Sequence, residues 1–68
     1  MGEVTGAVEA TIRGWIAGGE LKSGDRLPSE RSMVADLGAS RSTIRLVLVR
    51  LVAEGLVKSE HGRGYFVC

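Results

Sequence analysis

Ser40-Arg41-Ser42-Thr43-Ile44-Arg45 is the stretch that decides the reading of this chain. Ser40 is a favoured helix N-cap, because its hydroxyl accepts from an unpaired backbone N–H of the first turn. Ile44, Val47, Leu48 and Leu51 then recur at i, i+3, i+4 and i+7, which is one buried stripe of a helix. The spacing predicts a helix over 41–54, with Gly55 as its stop. With that stripe turned inward, at about 100° per residue, Arg41, Ser42 and Arg45 project to one flank and outward. Arg41 and Arg45 are four apart and therefore neighbours on the helix surface.

The segment before it has the same grammar. Ser29 is a second N-cap, Glu30 suits the positive end of a helix dipole, and Met33, Val34 and Leu37 supply an inward stripe. Gly38 is placed as a left-handed helix stop. A short helix, a glycine turn and a second capped helix follow one another, which is the order of a helix-turn-helix. Farther upstream, Val4, Val8, Ile12, Trp15 and Ile16 fall on one stripe of an amphipathic helix over 4–18, with Trp15 expected as a core anchor. Gly18-Gly19 ends it. Ser23-Gly24-Asp25 reads as a turn, a very short strand is expected near 25–27, and Pro28 keeps Leu27 extended.

After Gly55 the period changes. Leu56-Val57-Lys58-Ser59 and Tyr65-Phe66-Val67 read as two strands around a turn-rich tip at 60–64. The expected fold class is α+β: a winged helix-turn-helix, three helices followed by a two-stranded hairpin wing, as a single domain over 1–68.

Arginines early in such a helix suit double-stranded DNA. Their forked guanidinium matches O6 and N7 of guanine, and the first turns of a recognition helix meet base edges. Ser42 and Thr43 are short donors for phosphates or bases, and the free N–H groups of a helix start attract phosphate. Taken alone, a capped amphipathic helix with solvated arginines fits the same residues equally well. The hairpin shifts the balance, because Gly62 and Gly64 permit a sharp tip while His61 and Arg63 can reach a minor groove or a phosphate.

Composition is compatible with this. The 68 residues are 44% hydrophobic and 25% charged, ordinary for a small folded domain. The net charge is only +1. Residues 1–30 carry a net −2 and residues 31–68 a net +3, so positive charge gathers where the candidate reading helix and wing lie. No apolar run is long enough for a membrane span and no signal-peptide pattern opens the chain, so a cytoplasmic location, nucleoid-associated on DNA, is expected. Cys68 is the one cysteine and His61 the one histidine. They form no metal-ligand spacing or nucleophile–base pair, and no paired-carboxylate site is evident. Neither an enzyme, a metal site nor a cofactor is expected. Gly62-Arg63-Gly64 lies between strands and opens no helix, which sets it apart from a nucleotide-binding loop.

Four pieces taken in order resemble the GntR family of bacterial transcription regulators. They are Gly24-Asp25-Arg26-Leu27-Pro28-Ser29-Glu30-Arg31, Leu37-Gly38-Ala39-Ser40-Arg41-Ser42-Thr43-Ile44-Arg45, Glu54-Gly55-Leu56-Val57, and Gly62-Arg63-Gly64-Tyr65-Phe66-Val67. The resemblance covers about 12–67 and implies sequence-specific binding of operator DNA, with the helix at about 41–54 in the major groove and the tip at the minor groove. It also implies a homodimer on a palindromic site. The family pattern gives Arg31 a DNA contact from the second helix and Arg41 and Arg45 contacts from the third. Ser40, Ser42 and Thr43 support them, and His61 and Gly62 act at the wing tip. Lys58 and Arg63 are weaker additions, made from their position on the wing.

Two departures from the family pattern stand out. Family members usually continue into a larger C-terminal domain for effector binding and oligomerisation, which is expected to be absent here, the chain being either an excised domain or a minimal natural version. A small-molecule effector is expected only where such a domain exists. Leu46, Val49 and Val52 also stand where the family has polar or charged residues. Some of them are expected to form an exposed apolar patch that can pack on a partner chain or a missing domain, with tighter packing against the first helix or wing as the alternative, especially for Val52. The apolar run Leu46-Val47-Leu48-Val49 and the near-neutral charge support a second reading, a winged-helix module that binds protein.

Overall fold

A computed structural model describes residues 2–68. Its elements are α1 (Gly2–Ala17), α2 (Glu30–Leu37), α3 (Arg41–Ala53), β1 (Val57–Glu60) and β2 (Gly64–Val67). The expected winged helix-turn-helix is formed. The caps act as the sequence predicts: Ser29 Oγ accepts from the Ser32 N–H, and Ser40 Oγ accepts from the Thr43 N–H. Gly38 takes φ 65° and ψ 31° and donates its N–H to the Val34 carbonyl, closing α2. This left-handed conformation strains any residue with a Cβ. Ala39, in the turn, is buried. The turn is therefore held by a packed methyl as well as by its glycine.

The core lies between the three helices and the inner side of the hairpin. Ile44, Val47, Leu48 and Leu51 of α3 are all fully buried, as the stripe predicts. They meet Val8 and Ile12 from α1, Met33 from α2, Leu27 from the loop, and Val57 and Val67 from the strands. Two expectations for α1 need correction. Trp15 packs on the edge of this cluster, half-buried, and is not a central anchor. Val4 is 47% exposed, since the apolar stripe of α1 runs a turn beyond Val8, the first residue of that stripe to be fully buried. Across the α1–α3 seam, Glu9 pairs with Arg50 at 3.2 Å, and Arg13 pairs with Glu54.

The hairpin is antiparallel, with Val57 opposite Val67 and Glu60 opposite Gly64. Pairing continues one residue farther than expected at both strand ends, so the tip is His61-Gly62-Arg63 and not 60–64. The short strand near 25–27 is a single bridge, Arg26 opposite Phe66. Its neighbours extend the pairing: the Gly24 N–H donates to Val67, the Leu27 N–H to Tyr65, and the Val67 N–H to Asp25, at 2.9, 2.8 and 2.8 Å. Pro28 follows at once, so the ladder stops and the chain turns into the Ser29 cap. The base of the wing and the start of α2 are thereby fixed to each other.

Candidate nucleic-acid interface

The outer face of the helix-turn-helix is organised around Glu30, the first residue of α2. Its carboxylate accepts from two arginines of α3: Arg45 Nε lies 3.0 Å from Oε2 and 3.2 Å from Oε1, and Arg41 Nε lies 3.3 Å from Oε1. The glutamate side chain is only 18% exposed, whereas those of Arg41 and Arg45 are 71% and 58% exposed. Both arginines are gripped at Nε, so the outer ends of their guanidinium forks remain in solvent. The Arg45 hydrogen bond, followed by that of Arg41, holds the Glu30 carboxyl below its ordinary range against the opposing effect of burial. The same contact raises the Arg45 guanidinium.

Arg31 is exposed beside this group, and no ion pair forms to it among the described residues. With Val34 and Arg41 it lines a hollow of about 270 Å³. A second hollow, about 300 Å³, runs from Ser29, Glu30, Arg31 and Arg41 to Arg26, Gly64 and Tyr65 at the base of the wing. Three arginines thus border adjoining open hollows, with one carboxylate among them. Such a surface suits phosphate oxygens, which arginine can engage with paired donors.

Ser42 is exposed on α3. Ser40 and Thr43 are more committed to the fold: Ser40 caps the helix and donates its hydroxyl to Thr43 Oγ1 at 3.0 Å. At the wing, His61, Gly62 and Arg63 are all exposed, and Gly62 has φ 74°. Arg63 lies 3.3 Å from Glu60 and its guanidinium sits 5.7 Å over the Phe66 ring, yet its side chain is 73% exposed. Lys58 also pairs with Glu60, at 3.3 Å.

Of the ten residues singled out from the sequence, nine fall into two clusters, the starts of α2 and α3 and the wing tip, and Lys58 lies on β1. Two residues of the face were missed. Glu30 was read only as a dipole partner, because nothing local ties it to residues eleven and fifteen positions later. Arg26 was read only as a strand residue, although it reaches the groove between wing and α2. Among the described residues, no group of three or more His, Cys, Asp or Glu is placed to hold a metal ion. No described helix is long and apolar enough to cross a membrane.

Comparison with known proteins agrees with this architecture. MngR, the mannosyl-D-glycerate transport/metabolism system repressor of Escherichia coli (strain K12), is 45% identical over 56 residues, 82% of this chain. NagR, a helix-turn-helix-type transcriptional repressor of Bacillus subtilis (strain 168), is 48% identical over 52 residues, 76% of this chain. The chain spans only 23% and 21% of the lengths of these two relatives. Among solved structures, the DNA-binding domain of AraR in complex with operator ORR3 superposes with a TM-score of 0.92 at 34% identity, covering 96% of this chain and 78% of that one. The sequence profile described as bacterial regulatory proteins, gntR family, matches residues 4–67, and the chain belongs to that family.

Proposed function

We propose that this chain recognises an operator in double-stranded DNA by laying α3 in the major groove and the wing tip at the minor groove. The observation that carries the proposal is the pair Arg41 and Arg45, held side by side on Glu30 at the capped start of α3 with their outer donors free. In this reading those donors meet base edges, Ser42 and Arg31 meet a base or phosphate beside them, and the first-turn N–H groups near Ser40 and Thr43 face a phosphate. His61, Gly62 and Arg63 meet the backbone or floor of the minor groove. Glu30 acts through the arginines as a positioning residue.

The protein then works as a non-enzymatic transcription regulator in the cytoplasm, on the nucleoid. The domain occupies the whole of 1–68 and binds palindromic sites as a homodimer. A small-molecule effector acts only where the family's C-terminal domain is present. The relatives named as repressors, and the AraR domain bound to operator, support the same conclusion.

Selection of bound sequences from a pool of randomised duplexes tests it. The expected product is a motif with guanines that Arg41→Ala and Arg45→Ala each fail to prefer, with half-sites about one helical turn apart. Recovery of unenriched sequence, or binding by both variants indistinguishable from the parent protein, overturns the assignment.

A further inference from the structure

We propose that Leu46 reads a thymine by packing against its C5-methyl group in the major groove. This rests on the reading of α3 as the major-groove helix and adds one base preference to it. Leu46 is 46% exposed on a helix whose inner stripe is fully buried. At about 100° per residue, its side chain leaves α3 within about 30° of the direction opposite the middle of that stripe. Ser42 lies one turn earlier on the same side, and Arg45 precedes it directly. Leu46 therefore shares the outward face with Ser42, while Arg41 and Arg45 border that face on its α2 side, Arg45 about 100° around the helix from Leu46.

The surroundings identify the occupant. The rim holds three arginines, Arg31, Arg41 and Arg45, against Glu30, so the face attracts a polyanion. Depth along the helix agrees. Leu46 lies about 7.5 Å along the axis from Arg41, inside a major groove about 12 Å wide, whereas Val52 lies about 16 Å away and beyond it. Leucine brings neither donor nor acceptor. Among the groups that base pairs present in this groove, the thymine methyl is the apolar one. A cytosine amino group or a guanine oxygen pressed against Leu46 loses its water without gaining a partner, which is costly. The same side chain thus favours thymine and disfavours polar base edges.

The test uses the tightest duplex from the randomised pool. Each thymine is replaced in turn by deoxyuridine, which lacks only the methyl group. Binding of the parent protein is expected to weaken about fourfold at one thymine per half-site, the scale of one buried carbon group. In Leu46→Ala, deoxyuridine at that position should make no difference. Repeating the selection with Leu46→Gln should replace thymine there by another base, with circular dichroism confirming the fold of both variants. Uniform tolerance of deoxyuridine, or a methyl effect that survives in Leu46→Ala, refutes the inference while leaving the major-groove reading standing. Failure of the parent protein to select any sequence removes that reading itself. Sedimentation separates the remaining occupant: self-association abolished by Leu46→Ala, with methyl dependence unchanged, assigns the leucine to a contact between two copies and overturns the inference.

Discussion

Replacing Glu30 by Gln keeps the volume of the side chain and removes its charge, which makes it the most informative single change in this interface. Two effects oppose each other. The carboxylate repels DNA phosphates: at a separation of about 8 Å in water's dielectric, its removal strengthens binding about twofold on any duplex. It also fixes two long side chains, gripping Arg45 at 3.0 and 3.2 Å and Arg41 at 3.3 Å. Ordering one such side chain on binding costs roughly two- to tenfold in affinity. Both arginines are more than half exposed, so the grip is partial and the low end of that range applies to each. Together they amount to a loss of about fivefold on the preferred site alone. Glu30→Gln is therefore expected to bind a scrambled duplex about twice as tightly, and the selected duplex about twofold more weakly. Glu30→Asp keeps the charge but is one methylene shorter, so it loses the grip without the general gain. Fluorescence anisotropy against both duplexes at 0.1 M salt measures the ratio. If Glu30→Gln tightens both duplexes equally, Glu30 does not position the arginines and the reasoning fails.

Arg41→Ala and Arg45→Ala should each weaken the selected site by about 5- to 150-fold and relax preference at one base pair, read by binding to single-substitution duplexes. By contrast, Arg26→Ala and Arg31→Ala should lower affinity on all sequences and shallow the salt dependence by about one phosphate each, measured from 50 to 200 mM salt. Glu9 and Glu30 both have carboxyl groups held below their ordinary value of 4.5 by arginine hydrogen bonds, so the folded form binds their protons less readily than the unfolded chain does. The stability they contribute is complete above that value and is lost as pH falls through their lowered folded values. A thermal melt should show Tm flat near neutrality and declining in acid, with a smaller decline in the Glu9→Gln, Glu30→Gln double variant. Ile44→Ala should cost about 2–5 kcal/mol in chemical denaturation, much of what a domain this small holds in reserve, because Ile44 is fully buried beneath the reading face.

Local chemistry made much of this fold legible. Ser29, Gly38 and Ser40 act within a few residues of their partners, and the stripe from Ile44 to Leu51 repeats at the pitch of one helix, so both can be read without knowing what lies opposite. The positions and exposure of Arg41, Ser42 and Arg45 follow from that stripe, and the two strand-favouring stretches around a glycine-rich tip marked the wing. The depth of Trp15, the exposure of Val4 and the reduction of the 25–27 strand to one bridge depended on how far neighbouring elements extend. Periodicity along one element carries no record of that.

What the sequence determined by itself was the order of elements, the caps and the side of α3 that faces outward. Tertiary structure decided what that side is made of. Glu30 meets Arg41 and Arg45 only because the Gly38 turn folds α2 back on α3, and Arg26 joins them only because the wing pairs with the loop ahead of α2. Contacts across eleven or fifteen residues depend on the angle between two helices, which is set by core packing and not by any residue's own preference. Packing likewise left Leu46 uncovered on the outward face of α3, turning an apolar residue that looked misplaced in the sequence into a candidate base reader.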